Sequence, residues 1–137
     1  LSLIFVSMKK RVVLLLAGFL VGLFTLCAQE VPSSLVTAFK KGSSQELGKY
    51  FDSKVELVIE KQTEHADKRA AMNKMAHFFS GNRVKDFKVN HQGKRETSSF
   101  VVGTLVTERG TFRVNCFFKK VDNKYLIHQI RIDRTND

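Results

Sequence analysis

Residues 97–121 read TSSFVVGTLVTERGTFRVNCFFKKV, two runs of alternating apolar and polar residues divided by Arg109-Gly110. Successive side chains of a strand point to opposite faces, so a period of two marks strands with one buried face. A divider this short joins antiparallel neighbours. Pairing the runs around Arg109-Gly110 sets Val101, Gly103 and Leu105 on the same face as Val114, Cys116 and Phe118. Val84 to His91 and Tyr125 to Asp133 repeat the pattern on either side, across Gly93-Lys94-Arg95 and Asp122-Asn123, which predicts a four-stranded antiparallel meander. In the first of these runs His91 shares the inward phase of Phe87 and Val89. In the last, Leu126, His128, Ile130 and Ile132 are set inward and Ile127 outward. That register needs an extra residue near Asp122, because a two-residue turn there would bring Ile127 and Gln129 inward instead.

Upstream the period becomes helical. Val31 to Lys41 carries Leu35, Val36 and Phe39 at helical spacing behind Pro32 and stops at Gly42. Ser43-Ser44-Gln45-Glu46 has the spacing of a capping box, which predicts a short helix ending near Tyr50. Lys54 to Glu60 alternates Val55, Leu57 and Ile59 with charged residues and reads as a strand. A third helix follows, capped by Asp67, striped with Ala71, Met72, Met75, Phe78 and Phe79, and closed by Gly81. This order predicts a single α+β domain, its helices gathered on one side of a curved, mainly antiparallel sheet.

The first thirty residues carry a different message. Met8-Lys9-Lys10-Arg11 precedes an uncharged apolar run from Val12 to Leu26 and then Cys27-Ala28-Gln29, the basic, apolar and small-residue regions of an export signal. The run falls short of the roughly 20 residues a membrane span requires. Residues 1–28 are therefore expected to be a signal peptide, with residues 1–7 a misplaced start and 29–137 the mature domain in the periplasm or outside the cell. Lipidation of Cys27 would tether it to a membrane, but Leu26 stands where a lipoprotein peptidase expects a small residue.

The chain has 23 Lys and Arg against 13 Asp and Glu, a net charge of +10. Such a charge attracts anions. Export argues against nucleic acid and in favour of an anionic envelope component. His-x-x-x-His and Cys-x-x-Cys spacings are missing, as is a glycine-rich phosphate loop, so neither a metal nor a cofactor is expected.

Phe78-Phe79, Phe87 to Gly93, Val102-Gly103-Thr104-Leu105, Thr107, Gly110 to Val114 and Ile130-Arg131-Ile132 together resemble the secreted bacterial family called domain of unknown function 4783, in the nuclear transport factor 2-like (cystatin-like) superfamily. The resemblance runs from about Val31 onward and implies a cone of curved sheet wrapped around helices. It implies no catalytic residues. Enzymes of the wider superfamily, such as ketosteroid isomerase and scytalone dehydratase, work inside the cone on paired carboxylates or His/Asp sets, and here the inward positions are nearly all apolar.

On this reading the cone interior and mouth are the first candidate site, a non-catalytic pocket for a small apolar molecule. Tyr50, Met75, Phe79, Phe112 and Cys116 would be its walls and His91 and His128 its polar handles. The same residues also read as ordinary packing, and an enzyme with a His general base is the alternative class. The outward phase is the second candidate, because Val102, Val106, Phe117, Tyr125 and Ile127 lie there beside Arg113 and Arg131, too apolar for a solvated face. It predicts a homodimer packed sheet to sheet, or an envelope contact through the basic residues.

Overall fold

A computed structural model describes residues 31–135; the expected signal peptide, with Cys27 and the expected cleavage after Ala28, lies outside the described residues. Helix α1, Ser33–Lys41, follows Pro32, whose carbonyl accepts from Leu35 and Val36 N–H. It buries Leu35, Ala38 and Phe39, then ends at Gly42, which takes the left-handed φ of 62° that glycine adopts without strain. Helix α2, Ser44–Gly48, is capped as the sequence indicates: Ser43 Oγ accepts from Glu46 N–H at 3.2 Å. Helix α3, Lys68–Gly81, is capped by Asp67, whose carboxylate accepts from Ala70 N–H at 2.8 Å.

The strands are β1, Phe51–Ile59; β2, Gln62–Asp67; β3, Val84–Lys94; β4, Ser98–Thr107; β5, Gly110–Val121; and β6, Lys124–Arg134. They form one sheet in the order β2-β1-β6-β5-β4-β3, antiparallel except where β6 runs parallel to β1. The expected meander is β3 to β6. Strand β2 is an addition: it is polar except for Ala66 and joins β1 by Glu60-Lys61, a two-residue turn with both residues at positive φ, 49° and 72°. Such turns usually announce themselves by Asn or Gly, and this one does not.

Three local registers differ from expectation. The β4–β5 turn is Glu108-Arg109, with Thr107 paired to Gly110, although the predicted inward set is preserved. The β5–β6 turn is the plain two-residue Asp122-Asn123, both residues at positive φ, and no residue is added there. The extra residue sits further on: Phe118 pairs with Ile127 and Phe117 with Gln129, so His128 is a β-bulge. The bulge shifts the phase, so Ile127, Ile130 and Ile132 are all 0 % exposed, Leu126 is half-buried and His128 is exposed. A second bulge, at Asn90, falls between the Val89–Gly103 and His91–Val102 pairs and turns His91 outward. The sequence reading of Ile127 as outward and both histidines as inward is thereby corrected.

All three helices contribute to a core against the inner sheet face. Phe39 stacks on Phe87 at 4.5 Å between centroids, and Phe78 meets Phe112 edge-on at 5.2 Å. Each of these rings removes from water the apolar area worth about 1.5–3 kcal/mol. Gly103 is required where Phe87 crosses the sheet: a Cβ there would lie 2.4 Å from Phe87 Cζ and 2.9 Å from the Lys88 carbonyl oxygen. Gly103→Ala is expected to destabilise the domain by roughly 1–3 kcal/mol through overpacking, read as a lower guanidinium midpoint.

Cys116 is wholly buried in this core, and burial pushes its thiol from the ordinary 9.0 up to about 12. The folded state holds the proton more tightly than the unfolded chain, so stability is untouched at neutral pH and falls as pH rises through 9 toward 12. In a chain beginning at Gln29, iodoacetamide at pH 8 should label Cys116 at least ~100-fold more slowly than in denaturant. Equal rates would place the thiol in solvent.

Candidate functional site

The seven residues expected to line a pocket do not converge. Met75, Phe79, Phe112 and Cys116 belong to the continuous buried core, where each packs against other side chains. Tyr50 is half-buried at the surface between α1 and α2, its hydroxyl hydrogen-bonded to the Ser34 hydroxyl. His91 and His128 stand on the opposite face of the sheet because the two bulges turn them there. His128 borders two shallow recesses, one with Phe100 and Phe117 and one with Glu56, His65 and Asp67. The four ion pairs among the described residues include no histidine, and no group of three or more His, Cys, Asp or Glu there is placed to hold a metal.

That outer face has a definite layout. Cross-strand register aligns Phe100, Phe117, Gln129 and Glu56 in one row, Val102, Asn115, Arg131 and Val58 in the next, and Thr104, Arg113 and Asp133 in a third. Gln129 Nε2 donates to Glu56 Oε2 at 3.2 Å, Arg131 Nε meets Asp133 Oδ2 at 2.9 Å, and Asn90 Nδ2 donates to Thr104 Oγ1 at 2.7 Å. Polar partners thus edge an apolar stripe of Phe100, Phe117, Val102 and Val106. Phe100 is the most exposed part of it at 40 %, and its ring lies across Gly93, whose missing side chain leaves the space.

Of the six residues expected at an interface, Val102, Val106, Arg113 and Phe117 share this face. Tyr125 does something else. Its hydroxyl donates to the carbonyls of Arg95 and Glu96 at 3.1 and 3.2 Å, and Lys94 Nζ lies 5.0 Å above its ring, so it pins the β3–β4 turn. Ile127 is in the core. Phe100 is the residue sequence reasoning missed, although it stands in the same alternate phase as Val102 and Val106.

The model of the family described as Domain of unknown function (DUF4783) matches residues 32–133. A crystallised DUF4783 family protein from Bacteroides ovatus is 59% identical, with a TM-score of 0.77 over 80% of this chain and 99% of that one. One from Bacteroides uniformis is 58% identical, with a TM-score of 0.76 over 79% of this chain and 100% of that one. The crystallised chains of both relatives thus correspond to the domain described here. At 12% identity and a TM-score of 0.61, a domain of unknown function with a cystatin-like fold from Nostoc punctiforme shares the fold over 77% of this chain and 73% of that one. Comparison with curated proteins found no match. The chain belongs to the DUF4783 family and has the nuclear transport factor 2-like, or cystatin-like, α+β fold.

Proposed function

We propose that this is an exported, non-catalytic partner-binding domain whose working surface is the outer face of the sheet rather than the cone interior. The observation that carries the reading is the stripe of Phe100, Phe117, Val102 and Val106 on a face to which none of the three described helices is packed. Six strands at about 4.8 Å spacing and about 3.3 Å per residue present an area on the order of 800 Å², the share one partner contributes to a standard interface. The occupant is a second copy of the chain. The face carries both signs, Lys88, Arg113 and Arg131 with Glu56, Asp86 and Asp133, so a two-fold axis can lay apolar stripe on apolar stripe and bring basic residues to acidic ones. A non-catalytic role fits the outward histidines, since acid–base catalysis needs a positioned partner for each. The leader pattern in residues 8–28 supports export.

Sedimentation equilibrium of residues 29–137 should give a dimer at tens of micromolar, and Phe117→Lys with Val102→Lys a monomer that unfolds at nearly the wild-type temperature. A wild-type monomer at millimolar concentration sinks the pairing. In that event, salt-sensitive adsorption to anionic vesicles would make the envelope the partner.

For export, the full chain produced in a Bacteroides host is expected in the envelope or medium with Gln29 at its N-terminus. Recovery of an unprocessed cytosolic chain would contradict it.

A further inference from the structure

A separate concavity lies at the far end of the fold, between the β1–β2 hairpin, the second half of α3 and the β4–β5 turn. Its volume is about 480 Å³, within the range of small-molecule sites. Leu57, Ile59 and Phe78 make an apolar floor. Above them the hairpin supplies Glu60 and Glu64, the helix Lys74 and His77, and the turn Arg109.

The charges on this rim are mostly matched. Lys74 Nζ reaches across the cleft to Glu64 Oε2 at 2.9 Å, and Arg134 Nε holds Glu60 Oε1 at 3.2 Å. Arg109 has no acidic partner among the described residues. Its backbone is nonetheless held at both ends. Its N–H donates to the hydroxyl of Thr107, a residue only 4 % exposed, at 3.1 Å, and that hydroxyl donates in turn to the Gly110 carbonyl at 2.7 Å. Its carbonyl accepts from Arg134 Nη1 at 2.6 Å, while the Arg134 guanidinium sits 4.7 Å over the Phe112 ring. A fixed turn therefore presents, beside an apolar floor, a guanidinium that no described acidic residue pairs with.

We infer that this cleft binds a small amphiphilic monocarboxylate, its carboxylate on Arg109 and its hydrocarbon on Leu57, Ile59 and Phe78. The planar guanidinium fork matches a carboxylate in two parallel hydrogen bonds. Glu60 and Glu64 already occupy Arg134 and Lys74, so Arg109 is the cation left on this rim, which suits a single negative charge better than a phosphate dianion or a dicarboxylate. The Lys74–Glu64 pair is half-exposed on both sides, and an exposed pair of this kind holds weakly, so a ligand can displace it. This site is independent of the sheet face and of pairing through it.

Gly81 provides a test that spares the core, because it lines the cleft and a Cβ added there meets nothing within 4 Å. Decanoate titrated into residues 29–137 should move the backbone amide resonances of Gly81, Asn82 and Arg109. Decanol should bind about tenfold more weakly, as should decanoate to Arg109→Gln, the loss of one charge-assisted contact. Gly81→Phe should abolish the shifts without changing the melting temperature. The inference is overturned by the absence of binding up to the solubility limit, by equal affinity for acid and alcohol, by an Arg109→Gln variant that binds as wild type, or by shifts confined to the Phe100 stripe.

Discussion

The inner face of the sheet is a continuous apolar surface because β6 carries one residue more than β5 can pair with. Ile127 and Ile130 are three apart, and an unbroken strand would put them on opposite faces. The bulge at His128 lets both point at the helices, next to Phe118 and Cys116 on one side and Leu57 on the other. Without that extra residue, one half of β6 would turn its isoleucines to solvent and its polar residues to the core. The Asn90 bulge does the corresponding work in β3, leaving Phe87 inside to stack on Phe39 while His91 goes out. His128 occupies the one bulge and His91 is the first paired residue after the other.

Around this surface the polar accounting is unusually plain. Thr107 is the only buried polar residue among those described, and its hydroxyl both donates and accepts within the turn it starts. Arg134 then ties that turn to the β1–β2 hairpin through Glu60, so three segments distant in sequence are fastened at one corner. The apolar centre explains cohesion, and the corner explains why the loops around the cleft have fixed positions.

What could be read in the sequence was whatever obeys a local rule. Asp67, Ser43 and Gly42 act at their helix ends as their chemistry dictates, and the four alternating runs are the four meander strands. Strand β2 escaped notice because its residues are exposed on an edge and its turn, Glu60-Lys61, lacks the residues that favour positive φ. The histidines were misplaced because alternation is counted from a fixed start and a bulge resets the count without a side-chain signature. Phe100 was legible and overlooked. The cleft was beyond sequence, since residues 60–64, 74–82 and 109 share no periodicity, and Arg109 is brought to the other two by the pairing of β5 with β6 and of β6 with β1.

That parallel pairing also governs when the domain can exist. Glu56 and Gln129, hydrogen-bonded side by side, are 73 residues apart, and the first strand's inner neighbour is the last strand made. Closing so long a loop is entropically slow, and it cannot begin until the final strand is available. A chain delivered from its N-terminus, by a ribosome or through an export channel, therefore keeps β1 paired with β2 alone and without its inner neighbour until nearly all of it has emerged. The topology acts as a completion check: the inner edge of the first hairpin finds its place in the sheet only when the last strand arrives.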